Sequence, residues 1–124
     1  MSSIKVLVVD DSAIMRRVIM GILNSMNIAN DNIEEATDGC EAVEKAASQQ
    51  YSIILMDWNM PNMLGIDAVR NIRASGNKTP ILMVTTEGER TNVITAIQAG
   101  ANNYLVKPFN AEDLREKFEQ LVTL

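Results

Sequence analysis

Hydrophobic residues in this chain fall into short runs of two kinds, and the two kinds alternate. Ile4 to Val9 is a β-branched, nearly unbroken apolar run of strand length, which suits a strand covered on both faces. Ser12 then has the character of an N-cap, and Met15, Val18, Ile19, Ile22, Leu23 and Met26 recur at helical spacing behind it. The alternation repeats with a weaker strand at Ile33 to Ala36, a helix from about Gly39 to Gln49 carrying Ala42, Val43 and Ala46, and a strong strand at Ile53 to Met56. Next come a helix around Leu64 to Arg73, a strand at Ile81 to Val84, a helix around Thr91 to Gln98 and a strand near Tyr104 to Val106. A fifth helix closes the chain with Leu114, Phe118, Leu121 and Val122 on one side. Five such units predict an α/β fold, an open doubly wound parallel sheet with helices on both faces. Turn chemistry falls between the elements at Asp38-Gly39, Pro61-Asn62, Gly76-Asn77, Gly100 and Pro108.

Composition narrows the class. With 124 residues, 47% of them hydrophobic, the chain has the apolar mass for one compact core, so a single domain over residues 1–124 is expected, with no interdomain linker, repeat or output domain. Met1 to Lys5 runs into the first strand without a signal-peptide pattern, and no stretch is long and apolar enough to span a membrane, so a cytoplasmic protein is expected. One cysteine, Cys40, cannot form an internal disulfide, and without histidine the chain has almost no soft ligand for zinc or iron. A net charge of -5 with no basic stripe argues against nucleic acid and for protein partners.

The chemistry lies in the residues just after each strong apolar run. Strand 1 ends in Asp10 and Asp11, strand 3 in Asp57, strand 4 in Thr85 and Thr86, strand 5 in Lys107. In open α/β sheets the carboxyl edge forms the ligand crevice, above all where the winding reverses. Strands 1 and 3 would be neighbours at that reversal, and Lys107 would stand two strands from Asp57, a backbone gap of roughly 10 Å that a lysine side chain largely covers. Any one of these residues is equally well read as a solvated turn residue; the whole set is not. Three carboxylates at one point repel, so the site calls for protonation or a cation, and with only hard oxygen ligands that cation is magnesium or manganese. Magnesium and one lysine can neutralise a phosphoryl group in flight, a threonine hydroxyl can donate to one of its oxygens, and an aspartate can attack it. Asp57 stands alone at the end of the central strand, whereas Asp10 and Asp11 are adjacent, as a metal-holding pair would be.

Four motifs at these places resemble the receiver domains of two-component response regulators, and among them the single-domain chemotaxis regulators. They are Val8-Val9-Asp10-Asp11-Ser12, Met56-Asp57-Trp58-Asn59-Met60-Pro61, Met83-Val84-Thr85-Thr86-Glu87 and Gly100-Ala101-Asn102-Asn103-Tyr104-Leu105-Val106-Lys107-Pro108-Phe109. The resemblance covers essentially the whole chain and implies the flavodoxin-like strand order 2-1-3-4-5, for which chemotaxis receivers are a standing example. It implies that Asp57 is the phosphorylated residue, that Asp11 and Asp57 ligate the metal with the main-chain carbonyl of Asn59, and that Asp10 acts mainly through water. Lys107 becomes the phosphate-binding lysine, with a cis bond to Pro108; Thr85 becomes the switch hydroxyl and Tyr104 the aromatic switch residue, exchanging an exposed position for a buried one. Asn59 and Glu87 fall where this family tunes the lifetime of the phosphate. Thr86 is bulkier than the small residue many receivers carry there, and Ser12 replaces an aromatic residue of some chemotaxis members.

The partners so implied are a histidine kinase as phosphoryl donor, a flagellar motor switch protein or another phosphate-dependent protein as target, and a phosphatase, acting on a monomeric, non-enzymatic switch that catalyses only its own phosphorylation and dephosphorylation. An alternative within the family is a phosphorelay shuttle serving a histidine-phosphotransfer protein. From the enzyme class comes a magnesium-dependent Asp phosphatase of the haloacid dehalogenase type, but those enzymes carry Asp-x-Asp-x-Thr and Asp57 is followed by Trp58-Asn59-Met60. A flavodoxin would offer hydroxyls and glycine in its first loop, where Asp10 and Asp11 stand. Met56, Met60 and Met83 read as packing, Cys40 as an inert thiol, Trp58 as a residue at the pocket mouth, and the charges of helix 5 as a solvated face that also offers a docking surface.

Overall fold

A computed structural model describes residues 3–123. Met1 and Ser2, part of the N-terminal stretch read above for targeting signals, and Leu124 lie outside the described residues. The elements run β1 (Val6–Val9), α1 (Ala13–Ser25), β2 (Ile33–Ala36), α2 (Gly39–Ser48), β3 (Ile53–Met56), α3 (Gly65–Ala74), β4 (Ile81–Thr85), α4 (Arg90–Ala99), β5 (Asn103–Val106) and α5 (Ala111–Leu121). All strand pairs are parallel and the order across the sheet is β2-β1-β3-β4-β5. This is the α/β, flavodoxin-like architecture that the alternation and the resemblance predicted.

The period of two along each strand divides the core. Leu7, Val9, Ile54, Met56, Ile81, Met83 and Tyr104 face α2, α3 and α4, where Ala42, Ala46, Val69, Ile72 and Ala96 meet them. Val6, Val8, Ile53, Leu55, Leu82, Val84 and Leu105 face α1 and α5, against Ile19, Leu23, Leu114 and Phe118. Both faces being covered explains why β1, β3 and β4 read as unbroken apolar runs rather than alternating ones.

Helix starts follow local chemistry. Ser12 caps α1, its hydroxyl accepting from the Met15 N–H at 3.2 Å, and Asp38 caps α2. α5 opens on a capping box between Asn110 and Asp113 that the periodicity alone did not disclose. Boundaries differ from expectation in small ways. β1 starts at Val6 instead of Ile4, because the Lys5 N–H is taken by Ser52 Oγ at 3.0 Å instead of a strand carbonyl. β4 reaches Thr85 because its partner strand extends to Val106, which pairs with it. A short 3-10 turn at Asn30–Asn32 leads into β2. Among the described residues no helix is long and apolar enough to cross a membrane.

Candidate functional site

The sheet register brings the expected residues together. Val9 pairs with Met56, so the next residue of each strand leaves the sheet beside the other, with the Asp57 N–H donating to Val9 O at 2.9 Å and the Asp10 N–H to Ala36 O at 3.1 Å. Carboxylate oxygens of Asp10, Asp11 and Asp57 lie within 4.8 Å of one another. Asp10 and Asp57 are only 2% and 7% exposed, while Asp11 stands on the exposed rim. From β5, Lys107 reaches across β4: its Nζ is 2.6 Å from Asp10 Oδ2 and 3.5 Å from Asp57 Oδ2. Its main-chain N–H donates to Thr85 O at 2.8 Å, and the Lys107–Pro108 bond is cis, as the resemblance implied.

The oxygens differ in how much they are already engaged. Asp10 accepts the Ser12 N–H at 2.8 Å on Oδ1 and Lys107 on Oδ2. Its main-chain carbonyl accepts from Arg16 at 2.7 Å, and Arg16 also bonds Glu35 at 2.8 Å, pinning this corner of α1 to β2. Asp57 Oδ1 accepts the Trp58 N–H at 2.7 Å, which leaves Oδ2 toward Lys107. Burial pushes the Asp57 carboxyl above its ordinary pKa and Asp10 adds to the push, while Lys107, the Trp58 N–H and the Thr85 hydroxyl oppose it. The Lys107 ammonium pairs with two of the three clustered carboxylates, Asp10 and Asp57. The surplus negative charge and the all-oxygen donor set fit a small hard divalent cation, magnesium or manganese.

Around this cluster stand the other expected residues. Thr85 is fully buried, its hydroxyl accepting the Glu87 N–H at 3.3 Å. Asn59, exposed, donates through its amide to Glu87 Oε2 at 2.8 Å, and Asn92 of α4 donates to Glu87 Oε1 at 3.3 Å. Tyr104 occupies the buried end of the exchange expected for it, at 8% exposure, with its hydroxyl donating to the Glu87 carbonyl. Glu87 thus links the loop after β3, the start of α4 and β5. Met56, Met60 and Met83 are buried core, Trp58 packs half-buried against that core, and Cys40 is exposed at the start of α2.

One residue escaped the sequence reading. A Cβ built on Gly65 would lie 1.7 Å from the Asp57 carbonyl oxygen, and the Gly65 N–H donates to Trp58 O at 2.8 Å. Only glycine lets α3 begin so close to the strand end that carries Asp57. Gly65 sits in sequence as an ordinary residue at a helix start, and its signal exists only once the loop is folded back.

This is the layout of a receiver: an acidic cluster and a lysine at the carboxyl edge of a 2-1-3-4-5 sheet. The chain belongs to the response regulator receiver domain family, whose pattern matches residues 6–119. Within it the chain is closely related to chemotaxis regulators, being 47% identical over 118 residues to the chemotaxis protein CheY1 of Helicobacter pylori, a match covering 93% of this chain and 94% of that protein. The receiver domain of sensor histidine kinase PA1611 from Pseudomonas aeruginosa, solved with a magnesium ion coordinated in its active site cleft, superposes with a TM-score of 0.86 at 32% identity, covering 97% of this chain and 98% of that one. The CheX-CheY-BeF3-Mg complex from Borrelia burgdorferi gives a TM-score of 0.89 at 28% identity, covering 94% and 87%. Membership sets aside the haloacid dehalogenase and flavodoxin alternatives.

Proposed function

We propose that this receiver is a phosphorylation switch in which Asp57 accepts a phosphoryl group from a phosphohistidine on a separate kinase and Asp11, Asp57 and the Asn59 carbonyl hold magnesium. The observation that carries the reading is the convergence of Lys107 Nζ on Asp10 and Asp57, at 2.6 and 3.5 Å, beside three clustered carboxylates. A carboxylate oxygen of Asp57 attacks phosphorus, the phosphorus–nitrogen bond of the donor breaks, and its electron pair leaves with the imidazole to give an acyl phosphate on Asp57. Magnesium, when bound, neutralises phosphoryl oxygens and offsets the repulsion among the carboxylates. Lys107 is near enough to bind a further oxygen, and Asp10, both of whose carboxylate oxygens are engaged, fits an indirect role as the orienting anion. The chain has no histidine and so cannot carry the donor itself.

Readout runs from Asp57 through Thr85 and Tyr104 to the surface of α4, β5 and α5. That surface exposes Ile94 and Ile97 of α4 and Val106 of β5, apolar side chains turned to solvent. Relatedness to chemotaxis regulators favours a flagellar motor switch protein as the target, and the Borrelia complex favours a phosphatase of the CheX kind as a second partner. The experiment is phosphorylation by acetyl phosphate followed by mass spectrometry. Acid-labile phosphate is expected with magnesium, not with chelator, and not on Asp57→Asn; undiminished phosphate on that variant, or labelling from ATP with no other protein present, refutes the reading.

A further inference from the structure

The loop between β3 and α3 carries Asp57 and the Asn59 carbonyl, and it is staked on two sides. Toward α4 the stake is the Asn59–Glu87 bond already described. The other side is the turn between β2 and α2, which the phosphorylation chemistry leaves unused. There the Gly39 N–H donates to Met63 O at 3.1 Å and the Asn62 amide donates to Asp38 Oδ2 at 2.6 Å. The second oxygen of the same carboxylate, Asp38 Oδ1, accepts the Glu41 N–H at 2.8 Å and so caps α2. One aspartate joins a helix start to the loop beside it.

Three features indicate that this junction holds the loop in a set shape. Asn62 has φ 67°, a left-handed conformation that asparagine adopts more readily than other side-chain-bearing residues and that here is held by its neighbours. Gly39 is buried and in close contact: a Cβ there would lie 2.6 Å from Met63 O and 2.9 Å from the Met63 side chain. The Glu41 N–H and the Asn62 amide hold the Asp38 carboxyl below its ordinary pKa, as two donors to its ionised form would. The loop itself is tight, with the Met63 N–H on Pro61 O at 2.7 Å and the Gly65 N–H on Trp58 O at 2.8 Å. Movement at residues 62 and 63 therefore reaches Asn59 with little slack to absorb it.

We propose that the β2–α2 turn is a positioning element for the cation site, with Asp38 and Gly39 setting through Asn62 and Met63 where the Asn59 carbonyl faces relative to Asp57. This rests on the reading that Asp57 and the Asn59 carbonyl share a magnesium ion. Three variants of the full chain separate the effects. Asn62→Gly keeps the left-handed freedom and removes the bond to Asp38; Asp38→Ser keeps a helix cap and removes the second oxygen; Gly39→Ala improves the helix propensity of α2 but drives a methyl group into Met63.

The readouts are the magnesium dissociation constant, by calorimetry and by fluorescence of Trp58, the sole tryptophan, and the urea midpoint of the metal-free protein. Asn62→Gly and Asp38→Ser are each expected to weaken magnesium about three- to tenfold, the equilibrium equivalent of one hydrogen bond. The double variant is expected to do no worse than either, since both remove the same bond, and Gly39→Ala is expected to weaken magnesium further. A merely structural junction would lower the urea midpoint and leave magnesium affinity within about twofold of wild type, which overturns the proposal, as do effects that multiply in the double variant. Wild-type protein that binds no magnesium would instead overturn the reading on which the proposal rests.

Discussion

Replacing Asp57 by asparagine is expected to make the metal-free protein more stable while abolishing its phosphorylation. Asp57 is 7% exposed and lies within 4.8 Å of oxygens on both Asp10 and Asp11. At an effective dielectric constant of 20, repulsion from Asp10 at that distance is about 3.5 kcal/mol, and that from the exposed Asp11 is smaller after solvent screening. Attraction to Lys107 at 3.5 Å is about 4.7 kcal/mol on the same scale. The charge effects nearly cancel, which leaves the cost of burying the carboxylate, the largest influence on Asp57, offset only in part by the Trp58 N–H and the Thr85 hydroxyl. Asparagine removes that cost, keeps an acceptor for the Trp58 N–H at neutral strength, and leaves Lys107 paired with Asp10 at 2.6 Å. The net expectation is a gain of about 1–3 kcal/mol, seen as a rise in Tm of several degrees.

The assay is urea and thermal denaturation by circular dichroism near neutral pH, in chelator and in saturating magnesium. In chelator the variant is expected to unfold later; in magnesium the wild type, if it holds the ion as proposed, is expected to gain stability by binding, so that the difference narrows or reverses. The pH dependence has a definite sign. A carboxyl whose folded pKa is raised favours the protonated fold, so the wild type loses its handicap as pH falls through that raised value, and the advantage of asparagine shrinks toward acid. A variant less stable than wild type in chelator at neutral pH would refute the account of the site as an electrostatically strained cluster.

Gly65→Ala is expected to cost more than about 3 kcal/mol in urea denaturation despite its better helix propensity, because its Cβ would lie 1.7 Å from Asp57 O; a loss below about 1 kcal/mol would show that α3 can shift freely. Tyr51 and Tyr104 are both pushed up to about 12, by burial first and then by nearby carboxylates, so stability is expected to hold below the unfolded value of 10.0 and fall as pH rises from there toward about 12. Among the described residues the buried Tyr51 hydroxyl has no partner at hydrogen-bonding geometry, so Tyr51→Phe is expected to be within about 1 kcal/mol of wild type, or above it, at neutral pH and to lose less at about pH 11; an equal alkaline loss would refute the assignment. Thr85→Ala is expected to accept phosphate normally and lose about ten- to a hundredfold of the phosphate-dependent gain in partner affinity, the equivalent of one charge-assisted hydrogen bond; titration of the phosphorylated variant against the partner checks this, and an undiminished gain would route the signal elsewhere.

Periodicity and strand-end chemistry already determined much of this protein. The apolar runs at Ile4–Val9, Ile53–Met56 and Ile81–Val84 have the length and composition of strands buried on both faces, and the polar residues that stop them mark where the chain leaves the core. Asp10, Asp11, Asp57, Thr85 and Lys107 were legible for that reason: they are the polar positions that close an apolar run, and parallel strands put all such positions on one edge. What the sequence could not hold is whatever depends on two segments meeting. That Lys107 stands closer to Asp10 than to Asp57 depends on the reach of one side chain across β4. That Gly65 and Gly39 must be glycine depends on the approach of a carbonyl belonging to another segment, Asp57 in one case and Met63 in the other. Asn59 and Tyr104 share no motif, yet both end on Glu87 because the loops after β3 and β4 fold over the same sheet edge. A linear pattern records which residues must be buried and where each strand stops; distances between loops are set only when the sheet register and the helices beneath them are fixed together.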